Sequence, residues 1–81
     1  MEATKIQNEN GTFTYKFGEE VFKKASKREY CYMLIAKPSK NKGATNDGKW
    51  YAAALGNNPR TIVSSWKGIL GHCDLEVISI N

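Results

Sequence analysis

The stretch Tyr30-Cys31-Tyr32-Met33-Leu34-Ile35-Ala36 limits the fold more than any other feature of this chain. Seven apolar residues in a row, followed by Lys37 and closed by Pro38, make a strand with no polar face. Such a strand suits the interior of a sheet covered on each side. It is far too short for a membrane span, which takes about 18 apolar residues or more. With 81 residues, 41% of them hydrophobic and 25% charged, the chain has the composition of a globular domain with one core. A domain of this size buries only about 60% of its unfolded surface, so most of its apolar residues are needed for packing.

Other segments supply the remaining layers. Thr12-Phe13-Thr14-Tyr15-Lys16-Phe17 alternates with period two, aromatic on one side and polar on the other, and follows the turn residues Asn10-Gly11. That pattern predicts a strand. After Gly18, residues 19–28 read as a short helix with Val21, Phe22 and Ala25 on one stripe, Glu19 and Glu20 in the first turn, and Lys27 and Arg28 in the last. The rival reading is a hairpin turning at Gly18-Glu19. Residues 39–48 form a polar, basic loop ending in Asn46-Asp47-Gly48, a strong turn signal. A third strand follows over 49–55. Asn58 can cap a helix that starts at Pro59, carries Ile62, Val63, Trp66, Ile69 and Leu70 on one stripe, and stops at Gly71. Residues 75–80 close the chain as a strand.

This order is β-α-β-β-α-β, which predicts an α+β, ferredoxin-like domain: a four-stranded antiparallel sheet with two helices on one face. Residues 1–11 read as a flexible N-terminal segment and 12–81 as a single domain. If the first helix is instead a hairpin arm, the alternative is a β-rich sheet with one covering helix. In the ferredoxin-like arrangement Phe13, Tyr15, Phe17, Cys31, Met33 and Ile35 pack beneath the helices. Tyr30 and Tyr32 are left on the open face, near Lys16 and one of Trp50 or Tyr51.

The net charge of +4 is unevenly spread. Between Lys23 and Lys49 eight cations face only Glu29 and Asp47, so that segment carries +6 and the remainder −2. A basic middle beside tyrosines on an open sheet is the recipe for binding single-stranded nucleic acid or RNA, with rings stacking on bases and cations following phosphates. The candidate contact residues are Lys16, Tyr30, Tyr32, Lys37, Lys40, Lys42, Lys49 and Trp50. The layout resembles the RNA-recognition motif in topology and composition. Lys49-Trp50-Tyr51-Ala52-Ala53-Ala54-Leu55 carries the leading base and aromatics of its third strand but not its later rings, and no binding residue is carried over from that family. The other function class is a stoichiometric protein-interaction factor or inhibitor, of the kind phages and mobile elements encode, docking on an acidic protein surface. A homodimer through the open face is a third possibility.

Catalysis is not expected. His72-Cys73-Asp74 lacks enough companions for a zinc site, and adjacent residues on an extended segment point apart. Paired carboxylates, a phosphate-binding glycine loop and a nucleophile elbow do not occur in the sequence. No cofactor, metal or membrane contact is expected. Two cysteines and a polar start without a signal sequence suggest free thiols in a reducing cytoplasm.

Overall fold

The computed structural model describes residues 2–38, 49–71 and 73–81. Its elements are β1 (Ala3–Gln7), β2 (Phe13–Phe17), β3 (Glu20–Ser26), β4 (Tyr32–Pro38), β5 (Tyr51–Gly56), α1 (Pro59–Lys67) and β6 (Cys73–Ser79). They form two three-stranded antiparallel sheets, ordered β1-β2-β3 and β5-β4-β6. The ferredoxin-like expectation is therefore wrong: the described residues form two sheets rather than one of four strands, and one helix rather than two. The likeness to the RNA-recognition motif, which rested on that layout, falls with it. Within the segment read as a flexible lead-in, Ala3–Gln7 is strand β1, and Ala3 is buried.

The rival reading, a hairpin turning at Gly18-Glu19, is what the structure shows, and the first expected helix does not form. Its residues pair with β2 instead, through a two-residue turn at Gly18-Glu19 that sets Phe17 opposite Glu20. Gly18 has φ +62, and among the described residues no non-glycine residue has positive φ. Positive φ at only the first central residue is the pattern of a type II′ hairpin turn, whose twist matches that of the flanking strands. The supposed helical stripe also buries nothing. Val21, Phe22 and Ala25 all remain exposed, so no packing rewards a helix there.

The β4–β5 hairpin forms as expected, and β4 occupies the centre of its sheet. Met33, Leu34, Ile35 and Ala36 are all fully buried, because a layer covers each face. On one side Met33 and Ile35 pack with Tyr15, Phe13 and Phe17 of the first sheet. On the other, Leu34, Ala54 and Tyr32 lie against Ile62, Val63, Trp66 and Leu70 of the helical segment. The aromatic face of β2 does meet Met33 and Ile35, but as sheet on sheet, while the helix covers the opposite face.

The helix starts as the sequence indicates. The Asn58 side chain accepts hydrogen bonds from the backbone of Arg60 and Thr61, and Pro59 is the first helical residue. It ends at Gly68 rather than Gly71, with Gly68 in a right-handed conformation. Its one buried residue, Ile62, sits over Gly56.

Among the described residues the two sheets join by backbone hydrogen bonds along one side. Ala3 and Ile80 form a parallel bridge, and the Lys5 amide donates to the Asn81 carbonyl while the Asn81 amide donates to Ala3. On the other side lie β3 and β5, each bonded to a single neighbour in its own sheet. The sandwich is closed at β1 and β6 and open along a seam between β3 and β5.

Candidate functional site

The seam is lined by a row of clefts. One of about 430 Å³ lies between Phe22 and Lys23 of β3, Tyr30, the β5 residues Ala53, Ala54 and Leu55, and Trp66 of α1. It runs into a second of about 400 Å³ that shares Tyr30, Leu55 and Trp66 and adds Arg28, Asn57, Asn58, Thr61 and Ser65. A narrower one of about 100 Å³, bordered by Glu20, Phe22 and Tyr51, continues the row in the other direction. Three aromatic rings thus gather around one opening. Its cations, Lys23 and Arg28, are exposed, and no carboxylate is among the described residues lining the two larger clefts.

Local irregularities shape this seam. Lys16 pairs with Val21 and Tyr15 with Lys23, so Phe22 is an extra residue in β3. Leu34 pairs with Ala54 and Ile35 with Ala52, so Ala53 is extra in β5. Both unpaired edges are therefore bulged, β3 a second time opposite Thr14, and the extra residues Phe22 and Ala53 line the same cleft. A bulge interrupts the regular row of edge donors and acceptors and re-aims a side chain. The seam is thus poorly suited to taking up an added strand, and better suited to presenting the Phe22 ring.

Tyr30 sits in the linker between the two sheets. Its ring meets Tyr15 edge-on, with centroids 5.8 Å apart. Tyr32 points the opposite way, into the cluster beneath the helix. The platform of two tyrosines on one open sheet face does not form, because both faces of β4 are covered.

The other sequence candidates scatter. Lys16 lies on β2 and pairs with Thr4 and Val21, away from the aromatic side of that strand. Lys37 places its ammonium 5.9 Å from the Trp50 ring centroid, and Trp50 itself packs half-buried against the inter-sheet core. Lys49 is exposed just before β5. Lys40 and Lys42, with the loop over 39–48, lie outside the described residues. Of the six candidates among the described residues, Tyr30 alone lines the two larger clefts. Phe22 and Arg28 fall within the first expected helix and Trp66 on the apolar stripe of the second, so nothing in the sequence brings them to one cleft; Trp66 is half-buried.

No match to this chain was found among protein-family models, curated proteins or solved structures.

Both cysteines are free; Cys31 is exposed and Cys73 buried. The strands that carry or follow them are neighbours, not opposite edges as the ferredoxin-like order required. Cys73 pairs with Pro38 at one end of β4, while the Cys31 carbonyl accepts from Ile80 at the other. Seven residues of extended chain separate those ends by roughly 23 Å, beyond disulfide reach. Cys73 contacts the Tyr51 hydroxyl at 3.9 Å. Burial, and then the hydrogen bond with Cys73, hold the Tyr51 phenol above its ordinary pKa. A hydrogen bond to Glu29 likewise raises the Lys5 ammonium. Among the described residues no group of three or more His, Cys, Asp or Glu gathers as a metal site would require, and no helix is long and apolar enough to cross a membrane.

Proposed function

We propose that this chain is a small non-enzymatic binding module that takes single-stranded nucleic acid along the seam between β3 and β5. One observation carries the reading: Phe22, Tyr30 and Trp66 surround an opening whose cations are Lys23 and Arg28, without a carboxylate among the described residues of its two larger clefts. Rings at such a site stack on bases at about 1–3 kcal/mol each, and the two cations follow the backbone phosphates. A duplex keeps its bases stacked on one another and cannot offer their faces to the cleft, so the seam selects single strands. Lys24 and Lys27, exposed and adjoining Lys23 and Arg28 in the chain, add to the positive charge of that stretch.

The test is fluorescence anisotropy with labelled single-stranded and duplex RNA and DNA at two salt concentrations. Single strands are expected to bind more tightly than duplexes. Two phosphate contacts give a slope of about −1.4 in log affinity against log salt. Phe22→Ala removes one stacking ring from an exposed position and is expected to weaken binding by about 5-fold or more. Lys23→Ala combined with Arg28→Ala should flatten the salt slope. Binding that ignores salt, or is unchanged in both variants, refutes the reading. So does nuclease-insensitive capture of one acidic protein on the same cleft, which would identify a protein-docking factor instead.

A further inference from the structure

We infer that Tyr15 and Asn57 are positioning residues for this cleft: they hold the linker from Arg28 to Cys31 so that Arg28 and the Tyr30 ring line the seam. The inference rests on the binding role proposed above. The five-residue linker 27–31 joins the two sheets and belongs to no strand, yet its last four residues, Arg28 to Cys31, are each hydrogen-bonded through a side chain from outside it. The Tyr30 amide donates to the Tyr15 hydroxyl at 2.7 Å, and that hydroxyl donates to the Arg28 carbonyl at 3.2 Å. The Ser26 hydroxyl adds a second bond to the same carbonyl at 2.8 Å. From the other side, the Asn57 amide donates to the Glu29 carbonyl at 3.2 Å and accepts from the Cys31 amide at 2.8 Å.

Tyr15 has the wrong chemistry for a residue that only packs. It is fully buried on β2, where phenylalanine would fill the same space without a hydroxyl to desolvate. Both bonds of that hydroxyl go to the linker. Asn57 lies between β5 and the helix cap and uses both ends of its amide on the linker, as a neighbouring strand would use a backbone N–H and C=O. The two side chains thus tie the wall of the cleft to both sheets. A wall already ordered before binding spares the ligand the cost of ordering it.

The test compares Tyr15→Phe and Asn57→Ala with the wild-type chain, using a fluorescein-labelled oligouridine as probe. Each is expected to weaken binding about 3- to 10-fold, the cost of ordering one or two side chains at the moment of binding. In Tyr15→Phe the Tyr30 amide should also exchange its hydrogen faster in the free protein. A merely structural role is separated by repeating Tyr15→Phe in a chain already carrying Arg28→Ala and Tyr30→Ala. If Tyr15 acts through those residues, it then adds less than about 2-fold. Should Tyr15→Phe fail to fold, Asn57→Ala, at an exposed position, carries the same test against the Arg28→Ala, Tyr30→Ala background. Unchanged affinity in the folded variants, or the same loss in that background, overturns the positioning role while the binding reading stands. A wild-type chain that does not bind the oligouridine overturns the binding reading, and the positioning role with it.

Discussion

Gly56→Ala is a small perturbation whose effect can be worked from the structure. Gly56 ends β5 directly beneath the helix, and a Cβ placed there lies 2.5 Å from Cγ1 and 2.6 Å from Cδ1 of Ile62. Carbon atoms in contact prefer about 3.5–4.0 Å, so the shortfall is about 1 Å on two atoms. Ile62 cannot simply swing aside. It is the one buried residue of α1, 6% exposed, and clusters with Leu34 and Ala54. Either Ile62 leaves its rotamer or the helix lifts, and overpacking of this kind costs about 1–3 kcal/mol. In a chain of this size each kcal/mol moves the melting temperature by about 4–8 °C, so a loss of about 10 °C is the central expectation. Thermal melts followed by circular dichroism, with urea titrations at 25 °C as a check, measure it.

The decisive comparison is made in a second background. Ile62→Ala alone removes the clashing atoms and costs about 2–5 kcal/mol through the cavity it leaves. Within that variant, Gly56→Ala meets no side chain of Ile62 and gains about 0.4–1 kcal/mol from a less flexible unfolded chain, since Gly56 does not need positive φ. The same substitution should therefore change sign between the two backgrounds. Equal destabilisation in both would refute the argument that helix docking depends on the close approach of Ile62 to Gly56.

Two further outcomes follow from burial and ionisation. Leu34→Ala, at a fully buried position between the sheets' core and the helix, should cost about 3–5 kcal/mol in urea unfolding, whereas Val21→Ala, 49% exposed on β3, should stay within about 0.5 kcal/mol. Tyr51 titrates above its ordinary value of 10.0 because burial and its bond with Cys73 favour the neutral phenol. Its contribution to stability is then fully present below pH 10 and is lost as pH rises through the higher folded-state value. A tyrosine ionisation followed at 295 nm above the ordinary value of 10.0 should be lost in Tyr51→Phe.

The sheet-face site was misread for a physical reason that one strand illustrates. In β4 the alternation of Met33 and Ile35 against Tyr32 and Leu34 is plain in the sequence, and the structure keeps it. Which layer each set meets is not a local property. Phe13, Tyr15 and Phe17 can bury against a helix or against another sheet with similar gain, because burial of apolar area has no direction. Once β3 formed a hairpin with β2, those rings belonged to a sheet rather than to a strand under helices. The helix then took the opposite face, and Tyr32 went beneath it. The residues of the seam, Phe22, Arg28, Tyr30 and Trp66, come from three separate stretches of chain, and no spacing in the sequence announces their meeting.

Local chemistry by itself determined the strand at Tyr32–Pro38, the hairpin partner at Tyr51–Gly56, and the helix start at Asn58-Pro59. In each, the deciding forces act between residues close in sequence: an apolar run ended by proline, two extended segments near one another in the chain, a side chain capping its own helix. Tertiary structure alone decided the fate of residues 19–28. Their charges favour a helix weakly, and pairing with β2 through Gly18 outweighed that preference. With that choice came two sheets in place of one, an open seam between β3 and β5, and the placement of every ring proposed to line it.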